Sequence, residues 1–106
     1  MSRAEAESSL RGALELSHAL VAAADGGDLE ATVRLDAERR RLLEAARRGL
    51  VELAASDHAM LAQIRTLNAR AIGALQHRQR ATGRDLDMLS VGRRAVRAYA
   101  AARIWR

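Results

Sequence analysis

Asp25-Gly26-Gly27-Asp28 separates two stretches of helical periodicity, and its reading decides the fold. Glycine reaches the left-handed conformation that closes a helix, and an aspartate after it can cap the next one through its carboxylate. So short a connection makes the flanking helices antiparallel neighbours. Upstream, Leu10, Leu14, Ser17, Val21 and Ala24 recur at three- and four-residue steps. They predict a first helix over about 3–24 with one apolar face. Glu7 and Arg11, four apart, decorate its solvent side.

Downstream, a second helix is predicted from Leu29 to about Arg48, with Leu53 as its outer bound. Its stripe is Leu35, Leu42, Leu43, Ala46, Leu50 and Leu53. Arg39 falls inside that stripe. A buried guanidinium without a partner is costly, so Arg39 is expected to snorkel to the edge; pairing with a carboxylate or carbonyl of a neighbour is the alternative.

Ser56-Asp57 reads as the cap of a third helix over about 58–89, with Met60, Leu61, Ile64, Leu67, Ala71, Leu75, Leu86 and Leu89 on one side. The other side carries Arg65, Arg70, His77, Arg80 and Arg84, an amphipathic pattern. Ser90-Val91-Gly92 breaks this run before a short fourth helix over about 93–104. A helix of that length is marginal in water without a surface to dock on. The expected fold is all-α: an antiparallel hairpin or bundle of three main helices plus a short C-terminal fourth helix, in one domain over 1–106.

Composition agrees. The chain has no Pro, Phe or Cys, and its apolar residues are mainly Ala and Leu, strong helix formers. Alanine buries little area, so the core is expected to be thin and part of the apolar stripe to await a partner. Without cysteine there is no disulfide, thiolate metal site or thiol nucleophile. His58 and His77 lie nineteen residues apart with no ligand spacing, and Gly26-Gly27 follows no strand, so it is not a phosphate loop. Neither enzyme activity nor a cofactor is expected. No apolar run is long enough to span a bilayer, and the start of the chain does not resemble a secretory signal, so a cytoplasmic location is expected.

Charge is uneven. All 18 basic residues are arginine, which the codon usage of a GC-rich gene explains. Residues 1–57 carry a net −3 and residues 58–106 a net +8. The basic half points to an acidic partner, to nucleic acid, or to packing against the acidic half. Nucleic-acid binding is the weaker reading, because no recognition helix follows a tight turn and just two aromatics, Tyr99 and Trp105, are present.

Three stretches resemble the FliT-type flagellar export chaperones. The first is the Gly27-Asp28 turn followed by Leu29, Leu35-Asp36-Ala37-Glu38-Arg39-Arg40-Arg41-Leu42-Leu43. The second is the amphipathic third helix with its acid-free basic side. The third is Gly92-Arg93-Arg94-Ala95-Val96-Arg97-Ala98-Tyr99. Together they span most of the chain, the last being the most specific. The chain departs from the family pattern at Leu29, where many members carry Trp, and in its tail Ile104-Trp105-Arg106.

The resemblance implies a cytoplasmic chaperone for the C-terminal region of the filament-cap protein, with the export ATPase or a flagellar transcriptional regulator as further partners. It also implies that the last helix regulates client access, with Arg93, Val96 and Tyr99 as its residues. The sister chaperone for hook–filament junction proteins is the alternative within the same class. Helix-in-groove recognition suits a long apolar stripe. The expected partner surface is Leu61, Ile64, Leu67, Ala71 and Leu75, with Leu42 and Arg39 from the second helix. A homodimer through the same stripe is compatible with this reading.

Overall fold

A computed structural model describes residues 2–82. Among these, the chain forms three helices: α1 (Arg3–Gly26), α2 (Leu29–Gly49) and α3 (Ala55–Thr82). The expected fourth helix, with Arg93, Val96 and Tyr99, lies outside the described residues, as do Arg84, Leu86 and Leu89.

Each boundary has a local cause. Ser2 caps α1: its Oγ accepts from the Glu5 backbone N–H at 3.1 Å and donates to the Glu5 carboxylate at 3.1 Å. At the other end Gly27 adopts φ 74°. The Gly27 N–H donates to Ala24 O and the Asp28 N–H to Ala23 O, the paired bonds of a Schellman ending. Asp28 then caps α2 as expected, its Oδ1 accepting from the Ala31 N–H at 3.0 Å.

The start of α3 differs from the sequence reading. The helix begins at Ala55, three residues before His58, and Asp57 lies in its first turn rather than capping it from outside. Its carboxylate reaches back to accept from the Ala54 N–H at 2.8 Å. An acid in the first turn satisfies an orphan donor and favours the helix dipole, so the same residue signals a start from inside the helix.

α1 is the central helix. Its buried face holds Ala6, Leu10, Ala13, Ser17, Leu20, Val21 and Ala24, four of them small. Small side chains let neighbouring backbones approach closely. Gly12 shows how closely: a β-carbon built there would lie 3.0 Å from Leu42 Cδ1 of α2. α2 and α3 both pack on α1, yet their own Cα atoms come no nearer than 8 Å to one another. The bundle is thus organised around its thinnest helix.

Apolar burial falls into two clusters along the bundle. The first joins Ala6, Leu10 and Ala13 of α1 to Leu43, Ala46 and Leu50, and to Leu61 and Ile64 of α3. The second joins Leu20, Val21 and Ala24 to Leu67, Ala71 and Leu75, with Leu29 and Leu35 of α2 packed on it.

Arginines fasten both ends. At one, Arg3 of α1 donates to Glu52 O at 3.0 Å and pairs with Asp57 at 2.8 Å, holding the α2–α3 connection. At the other, Arg78 of α3 donates to Asp25 O from Nε at 3.3 Å and Nη2 at 3.0 Å, holding the α1–α2 turn. In each case one helix grips the connection between the other two.

Candidate functional site

Between the two apolar clusters lies a buried polar level. In α1, Ser17 falls between Ala13 of the first cluster and Leu20 of the second. In α2, Arg39 falls between Leu43 and Leu35, with Asp36 and Thr32 in the following turns toward the second cluster. In α3, Asn68 falls between Ile64 and Ala71. Ser17, Arg39 and Asn68 are each 0% exposed.

The hydroxyls in this region are satisfied within their own helices. Ser17 Oγ donates to Ala13 O at 2.8 Å, and Thr32 Oγ1 to Asp28 O at 2.7 Å. Arg39 does not snorkel, contrary to the sequence reading. It is wholly buried, and its Nη2 pairs at 2.7 Å with Oδ1 of Asp36 on its own helix. Snorkelling requires an edge within reach of the side chain, and Arg39 sits at the centre of the buried face of α2. Among the described residues its Nε and Nη1 find no hydrogen-bond partner, nor do Nδ2 and Oδ1 of Asn68.

The stripe expected to meet a partner is buried within the chain. Leu61, Ile64, Leu67, Ala71 and Leu75 are all buried, in the two clusters that include α1. Leu42 is half-buried, packed on the first cluster and against Gly12. The half-buried apolar residues include Leu35 on α2 and Ile72 on α3, both packed on the second cluster. Among the described residues Val51, in the α2–α3 connection, is the large hydrophobic side chain left exposed.

Asn68 escaped the sequence reading. A lone amide beside Leu67 carries no periodic signal of its own, although its spacing of four from Ile64 places it on the apolar face. Asp36 was quoted there only as part of the Glu-Arg stretch; its role in the core emerges once Arg39 is seen to be sealed.

The basic side of α3 is as expected where described: Arg70, His77 and Arg80 are exposed and Arg65 is half-buried. A shallow cleft lined by Asp25, Ala74, His77 and Arg78 lies where α3 passes the α1–α2 turn. Among the described residues no group of His, Cys, Asp or Glu is placed to hold a metal, and no helix is long and apolar enough to cross a membrane.

No family model matches this chain, and neither a curated protein nor a solved structure matches it.

Proposed function

We propose that this chain is a flagellar export chaperone of the FliT type, which binds the C-terminal region of the filament-cap protein as a helix and in which the C-terminal segment containing Arg93, Val96 and Tyr99 governs client access. The order and spacing of the three family-like stretches support this reading. The structural observation that carries it is the arrangement of α2 and α3: both lean on α1 and stay more than 8 Å apart at their Cα atoms. The half-buried Leu35 of α2 and Ile72 of α3 are the kind of apolar contacts a client helix would use in helix-in-groove recognition.

Titration calorimetry of the full chain with the C-terminal region of a filament-cap protein tests the proposal. A one-to-one complex is expected. Absence of heat and of co-elution at tens of micromolar overturns it. Ile64 and Leu67 are poor positions for variants because both are core. Ile72→Ser, on the half-buried rim, should weaken binding while leaving the helical circular dichroism intact.

A further inference from the structure

The bundle holds two cores in series. The first cluster draws buried residues from all three helices, Leu43 and Ala46 of α2 among them. Among the described residues the second takes its buried members from α1 and α3, and α2 reaches it through the half-buried Leu29 and Leu35. The clusters share no buried residue; Leu14, half-buried, packs on each. Uncovering the second therefore leaves the burial of the first intact. That is the condition for one half of a domain to open without the other.

What separates the clusters is the level of Arg39 and Asn68. Both are wholly buried, and Arg39 Nε and Nη1 and both polar atoms of the Asn68 amide find no partner among the described residues. Closed, this level carries the desolvation of a guanidinium that Asp36 matches through Nη2. Opened, these groups are hydrated. Water entering here favours separation, where water entering an apolar layer opposes it.

The fastenings differ in the same sense. Beside the first cluster, the buried Asp57 carboxylate accepts from Arg3 and from the Ala54 N–H. Beside the second, Arg78 grips a neutral carbonyl, Asp25 O, through hydrogen bonds exposed to solvent. A buried carboxylate with two donors is harder to release than hydrogen bonds open to water. Gly73 also falls between Ala71 and Leu75, where it weakens α3 locally.

We propose that the half of the bundle built on Leu20, Val21, Ala24, Leu67, Ala71 and Leu75 opens as a unit, with the Arg39–Asn68 level as its hinge and Arg78 as its latch. Opening uncovers Leu67, Ala71 and Leu75, part of the stripe that α1 seals. The motion itself needs no partner; its use by a helical client rests on the chaperone reading.

Hydrogen exchange of the full chain in sub-denaturing urea, read by mass spectrometry with no partner present, tests this device. Amides of 20–24 and 67–75 should exchange together, with protection at least about ten-fold below that of 10–13, 43–46 and 61–64. Ile64→Val, a mild loss in the first cluster, should lower protection there several-fold and leave the second half unchanged. Arg78→Met should lower protection of the second half by about three-fold or more. Asp36→Leu/Arg39→Met removes the gain from hydrating the hinge and should raise that protection about ten-fold. If the double variant does not fold, Ile64→Val and Arg78→Met decide the matter. Equal protection of the two halves, or lower protection in the first, overturns the proposal. So does Ile64→Val lowering both alike, Arg78→Met lowering neither, or a folded double variant whose second half is no better protected. Titration with the cap-protein region reports separately: its failure leaves the exchange pattern standing, and uniform exchange leaves the chaperone reading standing.

Discussion

Arg39 Nη2 lies 2.7 Å from Asp36 Oδ1, three residues back along α2, and the pair is sealed between two apolar clusters. The two charges depend on each other unequally with each substitution. Asp36→Leu alone leaves a buried cation with no counter-charge and should lower unfolding free energy by about 3–5 kcal/mol. Adding Arg39→Met should restore most of that loss, because an apolar side chain of similar length then fills the space. Urea melts of the single and double variants measure the coupling. If Asp36→Leu costs less than 1 kcal/mol, about the scale of an exposed pair, the pair is not what holds this level of the core together.

The Arg3–Asp57 clamp should matter more from the buried side. Asp57's side chain is 1% exposed against 46% for Arg3. Asp57→Ala loses both the Arg3 pair and the bond from the Ala54 N–H, so a loss of about 1–3 kcal/mol is expected. Arg3→Met should cost less, since water can reach the vacated edge. Equal effects of the two variants in chemical denaturation would show that the bond to Ala54 contributes nothing.

Two glycines should respond to alanine in opposite directions. Nothing lies within 4 Å of a β-carbon built at Gly73, in the interior of α3. Gly73→Ala should therefore raise stability by about 0.5–1 kcal/mol through helix propensity alone. At Gly27, with φ +74°, a β-carbon would stand 2.6 Å from Cζ and Nη1 of Arg78. Gly27→Ala combines left-handed strain of about 1–2 kcal/mol with displacement of the guanidinium that holds the α1–α2 turn. Thermal melts of both variants separate the two cases.

The acid limb of the stability profile contains a small, identifiable contribution. Arg47 donates to both oxygens of Glu44, from Nε at 3.0 Å and Nη2 at 2.6 Å. These bonds, with the nearby charges of Arg47 and Arg48, hold the Glu44 carboxyl below its ordinary value of 4.5. A carboxyl whose folded pKa is depressed stabilises the fold above its unfolded value, and that stabilisation is lost as pH falls through the folded value. The midpoint difference between the parent chain and Glu44→Gln should thus be constant above pH 4.5 and shrink on acidification. Both side chains lie at the surface, about half exposed, so added salt should narrow the gap at neutral pH. A difference that widens as pH falls contradicts the assignment.

Helix capping and turn chemistry were legible from the residues. Gly27 and Asp28 each act in the turn as their chemistry requires, because a left-handed φ and a side-chain cap are decided within five or six residues. The α3 start was read three residues late for a related reason: an acid three residues inside a helix and one just outside it use the same bond type. The apolar stripe of α3 was legible as a stripe, and the structure buries it in the two clusters shared with α1. Periodicity says that Leu61, Ile64, Leu67, Ala71 and Leu75 share a face, and it is silent on whether α1 or another polypeptide covers them.

Local sequence accounts for the helices and their antiparallel order, since hydrogen bonds along a helix and dihedrals in a four-residue turn depend on near neighbours. The burial of Arg39 and Asn68, the sealing of the α3 stripe by α1, and the grip of Arg3 and Arg78 on opposite connections depend on residues about fifty positions apart. They became visible once three helices were packed, because burial is a property of what lies across the gap and not of the side chain that is buried.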